Sequence, residues 1–172
     1  MQQQSFTIEF RKLSLFTHQL AASLFLPVDR RKAFSFFEDP RTLFEITPEW
    51  LDFRMLAPEQ NEVHEGAEFA YTIKWLGIAV RWRSRIINYH PPSSFTDIQL
   101  KGPYRFWEHL HVFEKTEGGT IMKDIVTYTL PLAALLIHGP VIQKQLCDIF
   151  SYRASRIDEW VRGVMIPRGH PQ

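Results

Sequence analysis

Cysteine, long apolar runs and a dominant charge sign are all scarce in this sequence. The single cysteine, Cys147, excludes an internal disulfide and a cysteine-based zinc framework, and it fits a reducing compartment, so we expect a cytoplasmic protein. No stretch approaches the roughly 18 uninterrupted apolar residues of a membrane span, and we expect no stable membrane insertion. The apolar run before Pro27 imitates a signal peptide, but Thr17, His18 and Gln19 interrupt it.

The charge balance argues against a nucleic-acid partner. Lysine and arginine number 20 and aspartate and glutamate 19, which gives a net charge of +1. Proteins that bind phosphate backbones usually carry a basic excess. We therefore expect no nucleic acid among the partners, and the sequence leaves the oligomeric state open.

Aromatic residues, by contrast, are plentiful. The chain has 14 Phe, 5 Trp and 5 Tyr among 172 residues, enough to build one core and to line a pocket as well. The length suits one domain, which we place at 18–163, with an N-terminal leader at 1–17 and a C-terminal tail at 164–172. The alternation of Phe6, Ile8 and Phe10 leaves a short strand within the leader as an open alternative.

The order of elements predicts an α+β fold. A strand at 18–26 precedes two short helices, one capped by Asp29 and one opening at Pro40. Period-two alternation then predicts an antiparallel meander, and helical spacing of apolar residues predicts a long helix at 141–162. The strands of the meander are placed at 50–56, 67–76, 79–89, 95–101, 104–115 and 119–130. One long helix cannot fill the concave side of a curved seven-stranded sheet, so a cavity is expected between them.

Strand alternation assigns side chains to this cavity. The opposite face carries Arg81, Arg83 and Arg85, which are expected outside. For the strand at 95–101, alternation does not decide which set of alternate side chains faces the cavity. The expected ligand-binding set is Tyr71, Trp75, Trp82, Ser84, Trp107, His109, His111, Met122, Asp124, Tyr128, Phe150 and Arg153.

Arg153 stands out because it lies on the apolar stripe of the long helix. A buried guanidinium needs a partner, and Asp124 is the first candidate, with Asp97 the second. Two roles are open: an ion pair that holds the helix to the sheet, or a cation presented to a carboxylate or enolate of a ligand.

Several segments together resemble ligand-binding proteins of the SRPBCC superfamily, which includes START lipid-transfer domains, polyketide cyclases and plant pathogenesis-related allergens. They are GPYRFWEHLHVFE at 102–114, GGTIMKDIVTYTLP at 118–131, IFSYR at 149–153, PVDRRKAFSFF at 27–37, TP at 47–48 and WRSRI at 82–86. The resemblance implies a helix-grip fold, in which the sheet wraps around the C-terminal helix and two short helices follow the first strand. The iron site of the Rieske-type members of the superfamily cannot be matched here.

Three functions follow as hypotheses. The first is a protein without catalytic activity that binds a small hydrophobic or aromatic molecule, lipid-like or polyketide-like, and uses no cofactor or metal. The second is a polyketide cyclase or dehydratase, with His109 as general base, Asp124 orienting it and Arg153 or Tyr128 steadying an enolate. The third places a metal ion on His109, His111 and Asp124, a weaker interpretation because a lone His-x-His is common in cores.

Overall fold

One antiparallel sheet and one long helix dominate the structure. The computed structural model describes residues 6–56 and 62–163. The strands are β1 (Phe6–Lys12), β2 (Thr17–Leu26), β3 (Arg54–Met55), β4 (Glu68–Trp75), β5 (Ile78–His90), β6 (Ser94–Lys101), β7 (Phe106–Thr116) and β8 (Gly119–Thr129). Their order in the sheet is β1-β2-β8-β7-β6-β5-β4-β3, with every neighbouring pair antiparallel. The predicted α+β class is confirmed.

The sheet has eight strands and not the seven predicted. The additional strand is β1, whose residues Phe6 to Lys12 pair along their whole length with β2. Phe6, Ile8 and Phe10 pack on the buried core, which explains why part of the segment assigned to a leader joins the sheet. The predicted C-terminal tail, 164–172, lies outside the described residues.

The strand predicted at 50–56 is mostly a turn. Glu49–Leu51 forms a short 3-10 helix, and only Arg54–Met55 pairs with β4. Asp52 takes a left-handed backbone conformation with φ of 46°, which interrupts an extended run. Alternation of apolar residues gave no sign of this reversal.

Three α-helices complete the fold: α1 (Arg30–Glu38), α2 (Arg41–Glu45) and α3 (Lys144–Val161). The side chain of Asp29 accepts a hydrogen bond from the backbone amide of Lys32 and so caps α1, as predicted. Between β8 and α3 the chain forms a 3-10 helix at Leu132–Ile137 and a π turn at His138–Gln143. The regular helix therefore begins three residues later than predicted, after Pro140, which lacks an amide proton.

Apolar residues of α1 and α3 and of one face of the sheet form a single core. On β2 and β8 every second residue is buried, so one face of these strands is packed throughout. Phe150 and Ile157 of α3 are buried against it. No helix within the described residues is both long and apolar enough to span a membrane.

The three arginines of β5 are exposed on the opposite face, as expected. Arg83 Nε donates to Glu68 of β4 at 3.0 Å, and Arg85 Nε donates to the other oxygen of the same carboxylate at 2.9 Å. This arrangement is an ordinary solvated strand face with an acidic neighbour.

Candidate functional site

A cavity lies between α3, the two short helices and the inner face of the sheet. It offers about 170 Å³ to the centres of water-sized molecules, which is room for on the order of ten waters. Its walls come from α1, α2, α3 and strands β4 to β7. The thin cover of one long helix and two short ones leaves this space, as the architecture predicted.

Eight of the twelve residues expected to bind a ligand line this cavity. They are Tyr71, Trp75, Trp82, Trp107, His109, His111, Phe150 and Arg153. The other four are Ser84, Met122, Asp124 and Tyr128, which are buried on the same side of the sheet but do not line it. Met122 and Asp124 border a second, much smaller cavity beside Arg153.

Tyr128 is directed away from the cavity by a hydrogen bond. Its hydroxyl lies 2.8 Å from Nε2 of His138, in the π turn before α3. The His138 ring in turn stacks on His18 at 3.7 Å between centroids. This contact ties the connection between β8 and α3 to the sheet.

Sequence reasoning missed part of the lining. Phe95 and Asp97 of β6 face the cavity, which settles the parity that was left open. The lining also includes Phe53, Tyr104, Leu146 and Ile149. Tyr104 precedes β7, and its backbone carbonyl accepts a hydrogen bond from Gln99 Nε2 at 2.8 Å, a loop contact that alternation cannot reveal.

One wall of the cavity is built from aromatic rings. Tyr71 stacks on Trp82 with an interplanar angle of 10°, and Trp82 meets Trp107 edge to face at 5.3 Å. Tyr104 packs edge to face against Trp75 and Trp82, at 5.9 Å from each. Such mutual contacts fix the rings and present a rigid apolar surface to whatever occupies the cavity.

The same inner face of the sheet, further along β7 from Trp107, carries two histidines joined to a buried carboxylate. Nε2 of His109 donates to Oδ1 of Asp124 at 2.7 Å. Nδ1 of His111 lies 3.0 Å from the same oxygen but is not aligned for a hydrogen bond. The His111 ring stacks on Phe95 at 4.3 Å. Cross-strand pairing of His111 with Asp124 brings the three groups together.

Burial decides the charge of this cluster. Burial lowers the pKa of His109 to about 3, helped by the neighbouring His111 and opposed by Asp124. Burial is also the main cause that lowers the pKa of His111. Burial acts to raise the pKa of Asp124, but the hydrogen bond from His109 and the close approach of both imidazoles outweigh it and hold this pKa well below its ordinary value. The cluster is therefore a carboxylate beside two neutral imidazoles near neutral pH.

The same three residues could hold a metal ion. One ligand atom from each lies within 4.8 Å of the others, and all three residues are buried. Two imidazoles and one carboxylate suit iron(II) or zinc. The 2.7 Å contact between His109 and Asp124, however, has the length of a charge-assisted hydrogen bond, with a proton between the two atoms.

Asp97 and Arg153 both face the cavity, yet they do not pair with each other. Burial raises the pKa of Asp97 to about 7, opposed by the Ser84 hydroxyl and the Arg153 guanidinium. Arg153 makes no ion pair within 4.0 Å in the part of the chain that the structure describes. Its guanidinium carbon instead lies 4.9 Å from the centre of the Phe150 ring. The prediction that Asp124 pairs with Arg153 is wrong, because the Asp124 carboxylate accepts a hydrogen bond from His109 and contacts His111 instead.

Buried polar atoms without a hydrogen-bond partner concentrate at this site. Six of the eight found among the described side chains belong to the cavity lining or to Ser84 beside it. They are Trp75 Nε1, Trp82 Nε1, Ser84 Oγ, Asp97 Oδ1, His111 Nδ1 and Arg153 Nε. Buried polar groups are normally paired, so this concentration leaves donors and acceptors beside the cavity that water or the polar atoms of a ligand can satisfy.

Comparison with known proteins gives structural matches only. No family model matches the sequence, and neither does any curated protein. Among solved structures, protein Ms6760 from Mycobacterium smegmatis superposes with a TM-score of 0.67 at 17% identity, over 94% of this chain and 100% of that one. At such identity the likeness shows a shared fold.

Two further matches have described roles or names. StfQ, a di-domain ARO/CYC from the steffimycin biosynthetic pathway, matches with a TM-score of 0.62 at 17% identity, over 87% of this chain and 51% of that one. Ara h 8.0201 matches with a TM-score of 0.53 at 16% identity, over 83% and 99%. The same fold thus occurs in the ARO/CYC protein StfQ and in Ara h 8.0201.

Proposed function

We propose that this chain, which has the helix-grip fold of the SRPBCC superfamily, binds a small, largely apolar or aromatic molecule that also carries carbonyl or hydroxyl groups. The superfamily resemblance and the structural matches support ligand binding or cyclase chemistry in general. The cavity supports the more specific proposal that the ligand combines apolar surface with carbonyl or hydroxyl groups. The observation that carries this proposal is the set of buried polar atoms at the cavity that have no hydrogen-bond partner among the described residues.

Two features of the cavity complement such a molecule. The aromatic wall of Tyr71, Trp82 and Trp107 offers flat apolar surface, which suits a ring system. The indole NH groups of Trp75 and Trp82 have no hydrogen-bond partner among the described residues, so acceptor atoms on a ligand would complement them. A purely aliphatic lipid chain would leave those donors unpaired, and a polyketide-like or phenolic molecule would not.

A cavity-blocking variant tests the proposal. Leu146→Trp places a larger side chain on the α3 wall, and Leu110→Trp makes the same change on the outer face of β7, where the residue is partly exposed. Native mass spectrometry, followed by solvent extraction, would identify a molecule that co-purifies with the wild type. We expect the Leu110 variant to retain this molecule and the Leu146 variant to lose it.

Two controls keep this experiment decisive. Circular dichroism melts verify that both variants fold, because overpacking costs about 1–3 kcal/mol. N-phenyl-1-naphthylamine, an uncharged aromatic dye that fluoresces in apolar sites, serves as a probe if the purified protein is empty. Equal dye binding by both folded variants would contradict a ligand site in this cavity.

A cyclase or dehydratase is the second candidate, favoured by Asp97. A general base works best with a pKa near the working pH, and the pKa of Asp97 is about 7. His109, the base expected from the sequence, has a pKa of about 3 and donates its Nε2 proton to Asp124. In this hypothesis Asp97 removes a proton next to a ketone and Arg153 stabilises the enolate oxygen. The enolate then re-forms the ketone and the carbon–carbon double bond as the β-carbon–oxygen bond breaks, and the β-hydroxyl leaves as water with the proton returned by Asp97.

Dehydration of aromatic β-hydroxyketones, followed by the ultraviolet absorbance of the enone, separates this candidate from simple binding. Turnover lost in Asp97→Asn and kept in His109→Gln would support Asp97 as the base. The reverse pattern would return that role to His109. Absence of turnover in the wild type across the substrate panel leaves binding as the function.

A further inference from the structure

Exposed apolar side chains gather at one end of the sheet. Nine large ones are exposed among the described residues: Leu13, Leu15, Trp50, Ile78, Leu100, Phe106, Leu132, Leu136 and Val141. Most of them lie in or beside the segments 13–16, 76–77, 102–105 and 130–143, which connect strands at this end and which we call the loop end. Leu136 is 91% exposed and Leu132 is 69% exposed. The segments at the other end, 27–29, 91–93 and 117–118, carry none of these nine.

Backbone contacts show that these segments adjoin one another. The Leu130 amide donates to the carbonyl of Phe16 at 3.1 Å, and the Arg105 amide donates to the carbonyl of Thr129 at 2.9 Å. Further along the same end, the ring centroids of Trp75 and Tyr104 lie 5.9 Å apart. The exposed leucines therefore belong to a shared surface and are not scattered singly, which would need no explanation.

The loop end is also rich in basic residues. Its segments and the strand ends that flank them carry eight basic residues, against five acidic ones. The basic residues are Arg11, Lys12, Arg54, Lys74, Arg81, Lys101, Arg105 and Lys144, and the acidic ones are Glu9, Glu49, Asp52, Glu108 and Asp148. Four of the cations, Lys12, Arg81, Lys101 and Arg105, are exposed and form no ion pair within 4.0 Å among the described residues. For a chain with a net charge of +1, this is a strong asymmetry.

Part of the cavity lining lies beside this surface. Trp75, which directly precedes the 76–77 turn, lines the cavity and keeps partial exposure. So do Gln145 and Ile149, at the start of α3 just after the 130–143 segment. A molecule that enters or leaves between β4 and α3 passes the loop end.

We propose that the loop end docks reversibly on an anionic lipid surface. Leucines on exposed loops can enter the boundary between headgroups and acyl chains, while unpaired lysines and arginines attract anionic headgroups. A symmetric contact between two copies would set the same cations against each other, so the charge favours an anionic partner over a second copy. Docking of this kind is interfacial and differs from insertion of a helix. It does not depend on what the cavity holds.

Flotation with lipid vesicles tests the proposal. The full-length protein is mixed with vesicles of phosphatidylcholine alone or of phosphatidylcholine with phosphatidylglycerol, and the fraction that floats is measured. We expect binding to the mixed vesicles, much weaker binding to phosphatidylcholine alone, and release by added salt. A wild type that binds neither kind of vesicle overturns the proposal.

Matched variants locate the contact. Arg105→Glu should weaken binding to the mixed vesicles about twenty-five-fold, because the reversal changes the charge by two units and each unit near the surface contributes about fivefold. The double variant Leu132→Ser, Leu136→Ser removes the two most exposed large apolar side chains of the 130–143 segment and should weaken binding by a similar factor. Lys115→Glu makes the same charge change as Arg105→Glu at the other end of the sheet and should leave binding unchanged.

Two results would contradict this assignment. Weakening by Lys115→Glu equal to that by Arg105→Glu would show that only overall charge matters. Sedimentation velocity provides the other check: a dimer in the wild type that the leucine double variant dissociates would assign the loop end to a second copy of the chain instead.

Discussion

His109 donates a hydrogen bond of 2.7 Å from Nε2 to Oδ1 of Asp124, so that a residue lining the apolar cavity is joined to a buried carboxylate outside its lining. A single buried carboxylate thus satisfies one imidazole and contacts a second, His111. The negative charge is stabilised by these neighbours, and the histidines are kept neutral by burial. Such a cluster is costly to break because each remaining group would be buried without its partner.

Replacement of Asp124 by alanine should therefore destabilise the protein. We expect a loss of about 3 kcal/mol in the free energy of unfolding, with a fall of about 10 °C in Tm. Urea unfolding followed by circular dichroism measures it. Asp148→Ala is the control, because that carboxylate forms only an exposed pair with Lys144, which solvent screens, and its loss should leave the unfolding free energy nearly unchanged. Equal effects of the two changes would contradict the structural role given to the cluster.

The pKa of Asp97 predicts a specific dependence of stability on pH. Its folded-state pKa of about 7 exceeds its ordinary value of 3.8, so the folded protein holds this proton more tightly than the unfolded chain does. The contribution to stability is complete below pH 3.8 and is lost as the pH rises towards 7. Asp97→Asn, which stays neutral, should gain on the wild type by about 3 kcal/mol between about pH 5 and pH 8.

The informative quantity is how the difference in unfolding free energy between Asp97→Asn and the wild type changes with pH, and not its value at one pH. His109 and His111 act in the opposite sense, since their lowered pKa values make both proteins less stable as the pH falls below 6.5. Their effect is shared by wild type and variant and cancels in the comparison. A difference in unfolding free energy that stays constant with pH would show that Asp97 is not buried in the way described.

Alternation along the strands predicted the inner face of the sheet well but not the cavity itself. It placed Trp82, Trp107 and His109 on the cavity side, where the structure has them. It could not separate Tyr128, which is on the same face but turns to His138, because a period of two identifies a face and not what covers each position.

Local sequence patterns also failed to predict the role of Asp97 and the surface at the loop end, for two different reasons. Both faces of β6 are partly apolar, so its parity carried no signal, and the importance of Asp97 depends on burial by distant elements. The surface at the loop end joins segments that are far apart in sequence, and only the pairing of strands brings them together. The fold, in contrast, followed from element order and turn residues, apart from β1 and the turn at Asp52.

The metal hypothesis and the hydrogen-bond interpretation of the histidine cluster make opposite predictions. If the 2.7 Å contact contains a proton, the purified protein should hold no stoichiometric iron or zinc by mass spectrometry of the elements, and added zinc should not raise its Tm. One equivalent of metal that is lost in both His109→Gln and Asp124→Asn would establish a site instead. The conservative variants matter here because each keeps a hydrogen-bonding group in place.

Arg153 offers the sharpest test of what the cavity selects. Its guanidinium faces the cavity without an ion pair in the described part of the chain, so an anionic group on a ligand would be its partner.

Two dyes that share an anilinonaphthalene frame separate charge from shape: 1-anilinonaphthalene-8-sulfonate carries a sulfonate, and N-phenyl-1-naphthylamine does not. We expect Arg153→Met to weaken binding of the sulfonate dye on the order of tenfold and to leave the neutral dye within about twofold, as a lost charged hydrogen bond would. Arg153→Lys, which keeps the charge, should restore part of the difference. A parallel loss for both dyes would mean that Arg153 shapes the cavity by packing on Phe150 and has no role in recognising an anionic group.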